Sequence, residues 1–251
     1  MITNNEFNKF NKENWNELVK SNKSFSNTSL PEYGPYMENE DKLQLFKKIK
    51  NKKVLEVGCA SGKSLKYLKD KGAKEVWGLD ISEEQIKKAK ELNIENSYFY
   101  ISSMENNPGI PVDYFDYVLS LYSIGYSSNP KKTIKLISKY LKKDGTFILS
   151  WTHPFFNCLD IEADKIIVKH DYNDESKKII KKGPDKVELY QYNLKISTLI
   201  NSLISAGLEI DKVIEENPII ENGIGNYKSP FFDERKLNVS PTTLIIVAHK
   251  K

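Results

Sequence analysis

The chain has 251 residues, 39% of them hydrophobic, and a net charge of +4; this length suits one α/β domain with an added cap. The basic balance is almost all lysine, with Arg235 the single arginine, which weighs against a nucleic-acid reader built on arginine forks. Two cysteines, Cys59 and Cys158, exclude a disulfide framework and offer no zinc spacing, while a polar N-terminus and no apolar run longer than Leu244 to Ala248 predict a cytoplasmic protein with no signal peptide, membrane span or membrane partner.

From Asn4 to Val19, Phe7, Phe10, Trp15 and Leu18 recur at near-helical spacing. A polar loop follows through Tyr33, Gly34, Pro35, Tyr36 and Met37, and a second helix is expected over Asp41 to Lys50. Residues 1–50 thus read as a helical cap ahead of a main domain over residues 51–251. That domain opens with a β-branched run, Lys53 to Val57, then glycines, then a helix from Ser64 to Lys71. Glu75 to Leu79 is a strand. Ser82 to Leu92 is a helix opened by a Ser82/Gln85 capping box. Strands follow at Tyr98 to Ile101 and Phe115 to Leu121. Pro130 begins the next helix, and Asp144-Gly145 turns the chain into a fifth strand, Thr146 to Trp151.

Five strands alternating with helices predict βαβ units and a mainly parallel sheet with helices on both faces. Residues 155–192 break the rhythm with β-like runs at Lys165 to Lys169 and Lys186 to Tyr190, read as an insertion on the open sheet edge. A helix over Asn193 to Ala206 precedes strands Leu208 to Ile214 and Thr242 to Ala248. With no helical pattern in the polar loop between them, the last strand is expected to be antiparallel.

The chemistry concentrates after the first strand, at Glu56-Val57-Gly58-Cys59-Ala60-Ser61-Gly62. Glycines between a strand and a helix let a ligand approach the backbone, with free helix N–H groups beside it. Asp80 ends the next strand about 20 residues on, where a carboxylate can accept both ribose hydroxyls of an adenosine ligand. The spacing is not the G-x-G-x-x-G of nicotinamide sites. Glu56 would also repel a pyrophosphate, whereas it would attract an ammonium.

This series, continued by Tyr114-Phe115-Asp116-Tyr117-Val118, Leu141-Lys142-Lys143-Asp144-Gly145-Thr146 and the later Ser205-Ala206-Gly207-Leu208, resembles the class I S-adenosylmethionine-dependent methyltransferases with their Rossmann-like sheet. The resemblance implies S-adenosylmethionine as cofactor and a role for each matched position. Gly58, Cys59, Ala60 and Gly62 would lie against its methionine and ribose, Ala60 standing where the family often has glycine. Glu56 would meet the amino group, Asp80 the ribose, and Ile81 the adenine. Ser103, Met104 and Glu105 follow the third strand, where adenine contacts fall. Ser120, Leu121 and Tyr122 end the fourth strand beside the methyl group, and Tyr122 is a catalytic candidate. Asp116 is expected to be structural. Trp151-Thr152-His153-Pro154-Phe155 resembles the acceptor-lining segment of small-molecule members, with His153 a candidate general base. Tyr33 or Tyr36 would close the site.

No metal-ligand cluster is evident, and the Asn-Pro-Pro-Tyr type signature of base methylation is absent. The expected function is methylation of a small-molecule acceptor. An RNA methyltransferase, a NAD-dependent oxidoreductase and a non-catalytic S-adenosylmethionine-binding protein are the alternatives.

Overall fold

The computed structural model describes residues 2–21, 31–46, 48–182, 186–216 and 232–251. Helix α1 (Asn4–Lys20) opens with a complete capping box between Thr3 and Glu6. After α2 (Glu40–Leu43) come β1 (Lys53–Val57), α3 (Lys63–Asp70), β2 (Glu75–Asp80), α4 (Glu83–Glu91), β3 (Ser97–Ile101), β4 (Phe115–Leu121), α5 (Pro130–Tyr140) and β5 (Leu141–Thr152). The insertion contributes β6 (Leu159–Glu162), β7 (Lys165–Val168), β8 (Lys177–Lys182) and β9 (Val187–Tyr192). The chain ends through α6 (Ile196–Ser205), β10 (Leu208–Ile214), α7 (Glu234–Leu237) and β11 (Thr243–Lys250).

The main sheet has seven strands in the order β10-β11-β5-β4-β1-β2-β3. The five strands from β5 to β3 pair in parallel, and β11 runs antiparallel to both β5 and β10. Each central strand is apolar on both sides because both faces are covered. Along β5, Phe147, Leu149 and Trp151 join the core of α5 and α6, whereas Ile148 joins the core of α3 and α4. In β1, Leu55 and Val57 take the first face and Val54 the second. Two-residue alternation in the sequence becomes two-faced burial.

Several expectations need correction. The helix expected over Asp41 to Lys50 stops at Leu43, because Gln44 is left-handed (φ 49°) and the Glu40 carboxylate accepts the N–H groups of Leu45 and Phe46 (3.0 and 2.9 Å). A side chain thereby takes donors that a continuing helix would have used. The fifth strand begins at Leu141, and the expected Asp144 turn is an irregularity within it, with Asp144 at φ 61°. The strands of the insertion are not hydrogen-bonded into the main sheet. They form two separate antiparallel hairpins, β6–β7 and β8–β9. The loop before the last strand contains α7, a turn of helix capped by Asp233; residues 217–231 of that loop lie outside the described residues.

The insertion and the cap meet each other. Buried Asn11 of α1 donates to the Tyr190 carbonyl and accepts from the Tyr190 N–H (2.9 and 2.8 Å), closing the β9 backbone onto the helix. Phe7 and Phe10 pack on Tyr190 with ring centroids 5.4 and 4.8 Å away. These contacts leave α1 and β9 as a joined cover beside the turn 124–126 that follows β4.

Candidate functional site

The carboxyl ends of β1, β2 and β4 lie side by side, and α1 packs beyond two of them, with Asn16 at Ser82 after β2 and Trp15 against Tyr126 after β4. The turn after β1 is shaped by backbone conformations that few side chains tolerate: Gly58 and Gly62 have φ of 79° and 72°. A Cβ on Gly58 would fall 2.5 Å from Ser123 Cβ, so glycine is required for space as well as for φ. Ala60 is also left-handed (φ 44°), a strained setting for a residue with a side chain. Its N–H is held at 2.9 Å by Asp80 Oδ2, while Asp80 Oδ1 accepts from the Ser82 N–H at 2.9 Å. Asp80 thus ties the glycine turn to the head of α4.

Two carboxyl groups dominate the electrostatics. Glu56 is 3% exposed, and its Oε2 is buried with no partner among the described residues. Burial, then repulsion from Asp80, pushes its carboxyl up to about 8. Burial raises Asp80 to about 6, opposed by its backbone hydrogen bonds. A buried acceptor without a donor is costly, and a bound cation is the natural answer to it. Cys59 is buried beside them, and burial followed by both carboxylates drives its thiol well upward. It is a neutral wall.

Ser120 and Ser123 share a buried hydrogen bond of 2.8 Å, and Ser123 donates to the Val57 carbonyl at 2.8 Å, fixing the end of β4 against β1. Leu121 is the last residue of β4 and half-buried. Tyr122 follows at φ 51°, with its N–H on the Ser150 carbonyl and its hydroxyl accepting from Thr152 at 2.7 Å. Strain in a non-glycine residue at a strand end points to a site.

On the third-strand side, Ile81 is half-buried and Met104 reaches over the glycine turn, its Cε 3.3 Å from where a Gly58 Cβ would be. The Ser103 hydroxyl accepts from Asn106. Glu105 has a task that its sequence position did not announce. Its carboxylate accepts from Asn8 of α1 (2.6 Å) and from the Ser127 and Ser128 hydroxyls, so it anchors the cap. Asn16 of α1 accepts from the Ser82 hydroxyl at 2.7 Å, and Lys12 pairs with Glu83 at 2.6 Å. The helix is therefore fastened both to the segment after β3 and to the head of α4.

Of the two tyrosines expected at the entrance, Tyr33 is fully buried and bonds to Glu40, which makes it a core residue. Tyr36 is half-buried, left-handed (φ 58°) and 5.5 Å from the Phe232 ring. Beside it, a Cβ on Gly34 would lie 2.9 Å from Tyr122 Cε2, so this segment runs against the Tyr122 ring.

His153 follows β5, three residues past the Ser150 that pairs with Leu121. Its N–H donates to the Thr242 carbonyl, and its Nε2 lies 2.9 Å from Glu215 Oε1. Sequence reading named His153 but missed Glu215, Ser123, Asn8 and Asn16, whose partners are distant in the chain. Asp116 is structural: it accepts from the Lys53 N–H and pairs with Lys52 and Lys142. Among the described residues no group of three or more His, Cys, Asp or Glu is placed to hold a metal ion, and no helix is long and apolar enough to cross a membrane.

The family model of a methyltransferase domain matches residues 35–178. An uncharacterised protein of Haemophilus influenzae is 27% identical over 98% of both chains. A ubiquinone biosynthesis O-methyltransferase of Dictyostelium discoideum is 33% identical over 48% of this chain and 41% of its own. The crystal structure of a putative S-adenosylmethionine-dependent methyltransferase from Listeria monocytogenes superposes with a TM-score of 0.66 at 27% identity, covering 81% of this chain and 92% of that one.

Proposed function

The chain belongs to the methyltransferase domain family, with S-adenosylmethionine as its cofactor, and on that premise we propose that it methylates a small-molecule acceptor. One observation carries the cofactor's place: a buried, unpartnered Glu56 oxygen and Asp80 flank the Gly58–Gly62 turn. That donor set fits the cofactor. Glu56 faces its ammonium, Gly58, Cys59, Ala60 and Gly62 line its methionine and ribose, and Asp80 takes the ribose hydroxyls. Ile81, Ser103 and Met104 surround the adenine, and Ser120, Leu121 and Tyr122 lie at the reacting end.

S-adenosylmethionine supplies an already activated methyl group on a sulfonium. The protein's work is then alignment and exclusion of water. The cap formed by α1 and β9 covers the carboxyl ends of the strands, with Tyr36 at its entrance. The Thr152 hydroxyl holds the Tyr122 ring against the acceptor side, and His153 receives a proton where the acceptor must lose one.

A small acceptor is favoured by this cover and by the single arginine, since an RNA substrate needs an open basic face. The Dictyostelium relative, an O-methyltransferase of ubiquinone biosynthesis, is in keeping with it. The test is incubation of the protein with cell extract and S-adenosylmethionine labelled in its methyl group. Label is expected in the low-molecular-weight fraction. Label in RNA would overturn the small-acceptor reading, and label in no fraction would favour a binding protein without turnover.

A further inference from the structure

His153 is 6% exposed, yet its two ring nitrogens have different surroundings. Nε2 meets Glu215 at 2.9 Å, while Nδ1 is buried with no partner among the described residues. A carboxylate accepts and does not donate when ionised, so the nitrogen facing it carries the proton. The other nitrogen then presents a lone pair. This is the arrangement by which a carboxylate fixes a histidine's tautomer and supports its charged form.

Resting on the methyltransferase reading above, we infer that Glu215 is a positioning residue that holds His153 as the Nε2–H tautomer and leaves Nδ1 to accept the proton of a hydroxyl-bearing acceptor. The two residues come from neighbouring parts of the fold. His153 follows β5 and is pinned to β11 through Thr242; Glu215 follows β10, the strand on the far side of β11. The Glu215 side chain is 40% exposed and the imidazole is buried, so a proton taken up by the ring finds its counter-charge 2.9 Å away. As the acceptor oxygen bonds to the methyl carbon, the carbon–sulfur electron pair stays on sulfur. The oxygen's proton passes to Nδ1, giving a methyl ether, the neutral thioether and an imidazolium beside the Glu215 carboxylate.

The test reads the ring directly, without an identified acceptor. Long-range proton–nitrogen spectra of ¹⁵N-labelled protein are recorded at alkaline pH, with His153 assigned by His153→Gln among the three histidines. Wild type is expected to show Nε2 protonated and Nδ1 unprotonated. Glu215→Ala should lose that preference and Glu215→Gln, which keeps an acceptor oxygen, should retain it. Saturating S-adenosylhomocysteine should shift the Nδ1 signal in wild type, and it should bind wild type and the two Glu215 variants within about twofold. A wild-type Nδ1–H ring, a tautomer unchanged in Glu215→Ala, or an Nδ1 signal unmoved by bound S-adenosylhomocysteine would each overturn the inference. Failure of S-adenosylhomocysteine to bind wild type would instead strike the methyltransferase reading, while the tautomer result still judges the pair.

Discussion

Asp80→Ala is expected to weaken S-adenosylhomocysteine binding by at least about 100-fold. Two hydrogen bonds from ribose hydroxyls to a carboxylate are together worth roughly 3–6 kcal/mol, and about 1.4 kcal/mol is a factor of ten. The variant also releases the Ala60 and Ser82 N–H groups that Asp80 now holds, so the strained glycine turn loses its tie to α4. Asp80→Asn separates these effects. It keeps an acceptor oxygen for one N–H and loses the charge, so an intermediate loss is expected by calorimetry. A melting temperature near that of wild type would show that the loss is at the ligand and not in the fold.

Glu56→Gln has the opposite signature in the free and bound protein. The carboxyl is held at about 8 in the fold against an ordinary value of 4.5, so the folded form binds its proton more tightly than the unfolded form does. Its stabilising contribution is complete below about pH 4.5 and is lost as pH rises to about 8. Asp80, raised to about 6 from 3.8, acts with the same sign over its lower window. The ligand-free wild type should therefore melt at lower temperature at pH 8 than at pH 5. Glu56→Gln should remove much of that fall, a gain of roughly 2 kcal/mol or more at pH 8, read as about 4–8 °C. With Glu56 placed at the ligand's ammonium, as proposed, the same change removes its counter-charge, so S-adenosylhomocysteine affinity should drop by about tenfold or more. Wild type should release a proton on binding at pH 7, measured by calorimetry in buffers of different ionisation enthalpy, and Glu56→Gln should not. A variant that binds as tightly as wild type would remove Glu56 from the site.

What could be read in the sequence was what depends on near neighbours. The strands of the main sheet showed themselves because alternating side chains are buried on both faces, as Phe147, Ile148 and Leu149 illustrate. The glycine turn and Asp80 were legible because their spacing is local. The failures are tertiary. Glu40 ends α2 by taking the N–H groups of Leu45 and Phe46, a competition that periodicity does not record. The β8–β9 hairpin is held against α1 because Phe7 and Asn11 meet Tyr190, a contact spanning 179 residues for Asn11. The bonds of Glu105 to Asn8, Ser127 and Ser128 were equally invisible, since these partners are distant in the chain. Glu215 sits 62 residues from His153 and has no motif around it; only the strand order makes them neighbours.

The most direct test of the account is calorimetric titration of wild-type protein with S-adenosylhomocysteine and, separately, with NADH. The arrangement of Glu56, Asp80 and the Gly58–Gly62 turn predicts micromolar binding of S-adenosylhomocysteine and none of NADH. Preference for NADH, or no binding of S-adenosylhomocysteine, would contradict the assignment of this site and leave only the fold.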